Sequence, residues 1–292
     1  MDLKTLRDTP PWDWPPDARK TFRKLLNNRK AAPADRLIAA DLAGSYTVMD
    51  NDLANALLTV LRSKEEPEEL RAAAAASFGP VLEGAFGEFD EELGEFEDSE
   101  MVPISEGQYR TVADALLKIY SDASTPKLVR RRILEASVRG DEPWHEAAIR
   151  EAYASGDRDW VLTAVFAMQY VRGFEKETLE ALQSTDPEIH YEAVVAAGGK
   201  ELDAAWTHVL GLVQDEGTEK DLRIAAIGAI GGIRPAEAEE ILLELVGSED
   251  EDISEAADEA LAEMEPDFIE DDEDDDEEEE DDDEEEDDGP VN

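Results

Sequence analysis

The chain contains no cysteine, which excludes disulfide bonds, thiolate metal sites and cysteine nucleophiles. Aromatic residues make up only 7% of the 292 residues, and alanine recurs throughout the sequence. Because alanine is the strongest helix former, this composition favours an all-α fold over a sheet.

Basic residues are also scarce, with 27 Lys and Arg against 76 Asp and Glu and a formal net charge of −49. Such a charge repels phosphates, so we expect no direct binding of nucleic acid or of anionic membranes. A basic protein would be attracted instead, over a screening length of about 8–10 Å. The N-terminus lacks a signal-like apolar run and no window reaches about 18 apolar residues, so we expect a soluble, cytoplasmic protein.

A short apolar and alanine-rich segment recurs seven times along the chain. An anchor position can be assigned in each copy: Arg36, Arg71, Arg130, Val161, His190, Arg223 and Ser254. Five of the six intervals lie between 29 and 35 residues, and the residue three positions after the anchor is Ala in six copies. Small residues on one face allow helices to approach closely, so each copy predicts the inner helix of a stacked pair.

Second amphipathic segments lie between these copies, and each predicts a short outer helix. They span residues 16–26, 52–61, 109–120, 144–153, 177–182, 202–213 and 235–246. We therefore predict a cap segment at 1–15, a solenoid of about seven helix hairpins at 16–266, and a tail at 267–292. Trp12 and Trp14 are predicted to cover the open apolar end of the first repeat, the alternative being an exposed docking peptide.

The pattern from Pro33 to Gly44, repeated loosely from Asp221 to Gly232, resembles the inner helix of a HEAT repeat. The period of about 31 residues resembles the short repeats of phycobilisome-lyase-type HEAT-like proteins. This resemblance implies a right-handed α-solenoid, and implies little about function because such proteins range from enzymes to passive scaffolds. The anchors Val161, His190 and Ser254 predict interruptions in any ladder of buried arginines.

One interval is too long, and its extra residues fall in an acidic insertion at 80–106 that contains ten Asp and Glu and no Lys or Arg. One interpretation is a solvated loop whose aromatic residues attach it to neighbouring repeats. The other is a recognition segment for a basic or amphipathic partner. Its candidate partner-binding residues are Phe86, Phe89, Glu91, Glu92 and Phe96.

The second departure from the period is the tail, in which positions 270–288 are all Asp or Glu. With no apolar surface to offset charge repulsion, this tail is predicted to be disordered when free. Without the 20 carboxylates of residues 267–288, the 56 remaining acidic residues against 27 basic ones leave a net charge of −29. The tail either serves solubility in a salt-rich cytoplasm or captures basic segments through carboxylates such as those of Asp274, Glu278 and Asp282.

Histidine chemistry is limited to His145, His190 and His208. HEAT-like deoxyhypusine hydroxylases hold two irons with several His-Glu pairs, whereas this chain has the single pair His145-Glu146, at the start of an outer helix. One pair cannot supply a di-iron ligand set. His190 is interpreted as an anchor substitution without ligand partners.

Other candidate motifs also favour structural roles. The glycine pairs Gly198-Gly199 and Gly231-Gly232 are interpreted as helix C-caps, not as phosphate cradles. Arg130, Arg131 and Arg132 are adjacent on one helix and would point in three directions. We therefore expect no catalytic residues, no cofactor-binding or metal-binding residues and no cofactor.

The sequence thus favours a non-enzymatic scaffold or adaptor for a basic protein partner. An acidic chaperone of histone-like or ribosomal proteins is the first alternative. A HEAT-like enzyme or enzyme subunit, such as a tetrapyrrole lyase-like protein, is the second. The oligomeric state stays open.

Overall fold

The computed structural model describes residues 3–88 and 103–264, apart from the side chains of residues 85–88. Over these ranges the chain is helical and contains no strand. The helices are α1 Leu3–Arg7, α2 Ala18–Leu26, α3 Pro33–Ala43, α4 Asn51–Arg62, α5 Glu68–Ala76, α6 Gly79–Glu88, α7 Glu106–Tyr120, α8 Lys127–Ser137, α9 His145–Ala154, α10 Arg158–Met168, α11 Glu175–Ala181, α12 Pro187–Gly199, α13 Trp206–Gln214, α14 Lys220–Ile233, α15 Pro235–Val246 and α16 Glu251–Met264.

These helices form seven stacked pairs, as the sequence predicts. The pairs are α2/α3, α4/α5, α7/α8, α9/α10, α11/α12, α13/α14 and α15/α16. The second helix of each pair packs against the second helix of the next pair, which gives an inner row of α3, α5, α8, α10, α12, α14 and α16. The fold is therefore an all-α solenoid in which every predicted anchor lies on an inner helix.

Small side chains hold the inner row together. Ala39, Ala74, Ala164 and Ala193, each three positions after an anchor, are fully buried. The approach is closest between α12 and α14, where a Cβ atom on Gly198 would lie 2.6 Å from the Cα of Ala229. Close packing leaves no room for such an atom, so this glycine is required for the contact.

The interpretation of the two glycine pairs as C-caps is wrong. Gly198-Gly199 and Gly231-Gly232 lie inside α12 and α14 rather than beyond them. A Cβ on Gly231 would approach the Met264 sulfur to 3.0 Å, and one on Gly232 would approach the Gly198 oxygen to 2.8 Å. These glycines bring neighbouring inner helices into contact, and a sequence pattern does not distinguish this role from capping.

The anchor arginines join each inner helix to its outer partner. Arg71 Nε donates to the Leu61 oxygen at 3.0 Å, and equivalent bonds to the carbonyl ten residues earlier are made by Arg36, Arg130 and Arg223. Carbonyls near the end of a helix lack intrahelical donors, so each arginine satisfies one of them. The ladder of arginines is interrupted at Val161, His190 and Ser254, as predicted. At the last of these, Ser254 Oγ still donates to a terminal carbonyl, that of Val246, at 2.7 Å.

The N-terminal cap is formed by one tryptophan of the predicted two. Trp14 Nε1 donates to the oxygens of Leu6 and Thr9 at 3.0 and 2.8 Å, and the ring packs edge-on against Phe22. Trp12, in the 3-10 turn Pro11–Asp13, is 77% exposed. The prediction is thus confirmed for Trp14 and wrong for Trp12.

The first residues of the acidic insertion form a helix that packs on the solenoid. Its first part forms α6, in which Val81 and Leu82 are buried and Glu83 pairs with Arg139, two residues after the end of α8. An interpretation of all of residues 80–106 as loop is therefore wrong for this part, because its apolar face packs on the inner row. The side chain of Phe86 lies outside the described residues, as do Phe89, Glu91, Glu92 and Phe96, and the tail residues Asp274, Glu278 and Asp282.

Ion pairs link the N-termini of successive inner helices. Lys127 reaches Asp157 at 2.5 Å, Arg158 reaches Asp186 at 2.8 Å, and Lys220 reaches Asp250 at 2.8 Å. Exposed pairs of this kind contribute little individually but fix the register of neighbouring helices. None of the helices in the described ranges is both long and apolar enough to span a bilayer.

Candidate protein-binding face

A cleft of about 760 Å³ crosses the C-terminal halves of α12, α14 and α16. Its floor is made mainly of residues with little or no side chain, including Gly199, Ala225, Gly228 and Gly232. Gly228 is exposed, and a Cβ atom added to it would meet nothing within 4 Å. The cleft therefore presents bare helix backbone and small apolar groups to whatever enters it.

Carboxylates are the ionisable groups that line this cleft. They belong to Glu201 and Glu263, and no Lys, Arg or His is among the lining residues. Because an apolar floor with an acidic rim complements an amphipathic basic surface, the cleft has the chemistry of a site for such a segment.

Glu201 occupies an unusual backbone conformation at this rim. Its φ angle is +53°, and it follows the last turn of α12, where its N–H donates to the Gly198 oxygen at 2.9 Å. Glycine or asparagine normally takes this left-handed position, and a residue with a larger side chain costs about 1–2 kcal/mol there. Strained residues of this kind concentrate at functional sites, which supports the cleft as one.

The cleft lies at the most acidic end of the solenoid. Residues 235–264 carry 12 Asp and Glu and no Lys, Arg or His, whereas residues 17–43 carry seven basic residues against three acidic ones. The acidic run that starts at residue 270 is six residues beyond Met264, which itself lines the cleft.

A polar cluster occupies the middle of the inner row. Arg131 Nε donates to Thr163 Oγ1 at 2.8 Å, and Thr163 Oγ1 donates to Glu135 Oε1 at 2.6 Å. Near them, on α12, burial and, to a smaller extent, the neighbouring charges of Glu135 and Glu188 together raise the pKa of the Glu192 carboxyl to about 7. A carboxyl with such a pKa is a typical feature of a functional surface, although ion-pair networks also produce one.

The three adjacent arginines are predicted to point in three directions, whereas Arg131 and Arg132 both pair with Glu135. Arg130 donates to the Tyr120 oxygen, Arg131 to Thr163, and Arg132 to Glu135. Each is used within the fold, so they do not form a phosphate site.

The two residues of the pair His145-Glu146 lie in the first turn of α9 and have opposite surroundings. His145 is 1% exposed, its Nε2 has no hydrogen-bond partner, and burial lowers its pKa to about 4. Glu146 is exposed and accepts from Arg150 Nη2 at 3.0 Å. Among the described residues, no group of three or more His, Cys, Asp or Glu is placed to hold a metal ion.

The other two histidines are brought together, which the sequence analysis missed. His190 Nε2 on α12 lies 2.9 Å from His208 Nε2 on α13. The expectation that His190 has no partner is therefore wrong. The sequence contains only a weak indication of this contact. Two of the three histidines fall within one repeat interval, but their separation of 18 residues matches no known motif.

No protein-family model matches the chain, and a comparison with curated proteins finds no match either. Solved structures do resemble it. Human deoxyhypusine hydroxylase, in complex with glycerol, is 17% identical over 90% of this chain and 88% of its own length, with a TM-score of 0.38. A designed armadillo repeat protein is 15% identical over 84% of this chain and 99% of its own, with a TM-score of 0.30.

Proposed function

We propose that this chain is a non-enzymatic scaffold that binds a basic, amphipathic segment of a protein partner in the cleft across α12, α14 and α16. The observation that carries this proposal is the combination of a floor made mainly of glycine and alanine with lining residues whose ionisable groups are all carboxylates. We also assign the repeats to the short HEAT-like class, on the support of their spacing of about 31 residues.

The contacts of such a complex follow from the lining residues. Apolar side chains of the partner would pack against Val195, Ala225 and Ile233, and glycine at position 228 would allow them to approach the helix backbone. Lysine or arginine residues that flank these side chains would pair with Glu201 and Glu263. Apolar burial would supply most of the affinity, while the acidic end of the solenoid would accelerate association.

The test is to fill the cleft and measure the binding of a synthetic amphipathic peptide built from leucine, alanine and lysine. Gly228→Leu places a side chain in the open space above the floor, and we expect it to weaken binding at least tenfold. Gly211→Leu on outer helix α13 is the matched control, because a Cβ there also meets nothing within 4 Å. Fluorescence anisotropy with the labelled peptide gives both dissociation constants, and equal affinities in the two variants would refute the cleft as the site.

The run of 19 carboxylates at 270–288 favours a second candidate, an acidic chaperone of basic proteins in which the tail itself is the binding element. Deletion of residues 267–292 separates the two candidates. Loss of all peptide binding would support the chaperone. Retained binding with a weaker dependence on salt would support the cleft. The electrostatic screening length falls to about 3 Å at 1 M salt, so salt removes the attraction of the tail before it affects apolar contacts in the cleft.

A further inference from the structure

We propose that His190 and His208 together form a binding site for a divalent transition-metal ion of the Cu²⁺ or Ni²⁺ class. The sequence analysis expected no metal-binding residues, and the site depends on a pairing that appears only in the folded chain. It is independent of the cleft, which contains neither histidine.

The first observation is that His190 does not make the hydrogen bond that arginine makes at the same position of other repeats. At four other anchors an arginine donates to the carbonyl ten residues earlier. In this copy that carbonyl, of Glu180, already accepts from the backbone N–H of Gln183 at 3.1 Å. His190 instead contacts His208, so the repeat architecture does not account for its side chain.

The second observation is the separation of the two nitrogens. The two Nε2 atoms, which are the atoms that a metal would bind, lie 2.9 Å apart. With metal–nitrogen bonds of about 2.0–2.1 Å, nitrogens at this distance subtend an angle of about 90° at the metal. Adjacent ligands of square-planar or octahedral Cu²⁺ and Ni²⁺ meet at this angle, whereas tetrahedral Zn²⁺ needs nitrogens that are farther apart.

The third observation concerns the protonation of the rings. Burial lowers the pKa of both histidines, and the charge of His208 lowers that of His190 further. Both rings are therefore neutral at pH 7, the form that binds a metal. The amide nitrogen of Gln183 lies 3.5 Å from His208 Nδ1. Rotation of this amide by 180° brings its oxygen to the same place, where it accepts an Nδ1 proton and leaves the lone pair on Nε2.

Without a metal the two rings share one proton. Their centroids are 5.2 Å apart, so the rings face each other nearly end to end, as in an N–H···N hydrogen bond. Metal binding would move the shared proton from Nε2 to Nδ1 of the donor ring, with no net proton release, and would tilt both rings until their lone pairs converge. Both side chains are only partly buried, which permits this movement and gives water access to the remaining coordination positions.

The test is a titration of the full chain with Cu²⁺, followed by pulsed electron paramagnetic resonance. Modulation from the remote imidazole nitrogen counts the histidines bound to the ion, and carboxylates do not produce it. We expect one ion with two equatorial imidazoles. His190→Gln and His208→Gln should each leave at most one imidazole and weaken binding at least tenfold, and Gln183→Ala should weaken it by up to about tenfold.

The chain supplies its own control. It has no cysteine and only one further histidine, the buried His145, which stays in every variant. A wild-type spectrum with only oxygen ligands, or one with a single imidazole, would overturn the proposal whatever the stability of the variants. A two-imidazole spectrum that persists in the His190→Gln variant would also overturn it.

Discussion

At the scale of single residues, Glu192 is a carboxyl group whose pKa is raised by burial and by neighbouring carboxylates. Its pKa of about 7 lies above the usual value of 4.5, so between these pH values the folded state holds a proton that the unfolded state has released. The folded state therefore loses stability as pH rises through this window, and the whole loss is present above pH 7.

Removing this charge gives the first prediction at this scale. Glu192→Gln should raise the free energy of unfolding by about 1–3 kcal/mol at pH 8 and leave it nearly unchanged at pH 4, where both states are protonated. Urea unfolding at the two pH values measures the difference. Glu239→Gln on the exposed face of α15 is the control, and a gain at pH 8 no larger than that of the control would contradict the assignment.

The residues that could be predicted from sequence are those whose partners are set by the repeat. An anchor arginine always finds the same carbonyl ten positions earlier, so one copy predicts the next. The pairing of His190 with His208 and the exposure of Trp12 depend instead on how two particular elements meet. Periodicity does not encode such contacts, and these are the positions where the sequence interpretation was wrong.

At the scale of helices, glycine residues without side chains allow neighbouring inner helices to lie close together. Gly198 and Gly199 are neighbours in α12 with opposite surroundings: a Cβ at 198 would lie 2.6 Å from Ala229 Cα, whereas one at 199 would have only an ordinary contact at 3.9 Å. A substitution at position 198 therefore tests helix packing, whereas the same substitution at position 199 tests helix propensity.

We expect Gly198→Ala to destabilise the protein by about 1–3 kcal/mol, because α12 and α14 must move apart to admit the methyl group. Gly199→Ala should be neutral or should stabilise by up to about 1 kcal/mol, because alanine is the better helix former. Thermal unfolding followed by circular dichroism compares the two. Equal effects would mean that the contact between the two helices adapts without cost.

The helix that the sequence did not predict is α6. Its residues, Gly79 to Glu88, include three glycines and a proline and stand outside the repeat period, so propensity favours a loop. The segment is nevertheless helical because it packs against α8 and buries Val81 and Leu82, and because Glu83 pairs with Arg139 just after α8. The seven pairs were predictable because alanine marks the packed face of each inner helix, and α6 has no such repeated counterpart.

At the scale of the whole molecule, charge is distributed unevenly along the solenoid. The first repeat, within residues 17–43, is net basic, whereas residues 235–264 carry 12 carboxylates and no basic residue. Among the described residues, Lys220 pairs with Asp250 and Asp252, and Arg234 pairs with Glu237. In a solenoid each repeat contacts only its neighbours, so the stability of a repeat depends on its local charge. Repulsion among unscreened carboxylates should therefore weaken the last pair most.

Hydrogen exchange read by mass spectrometry should reveal this gradient directly. At low salt, the amides of α15 and α16 should exchange faster than those of α2 and α3, and added sodium chloride should slow exchange in the last pair while it changes the first pair little. Salt also weakens the exposed ion pairs, but these contribute about 0–1 kcal/mol each and occur along the whole inner row. Because the first pair has the opposite net charge within the same chain, it is the internal control, and a uniform response to salt would mean that the acidic end is stabilised by packing alone.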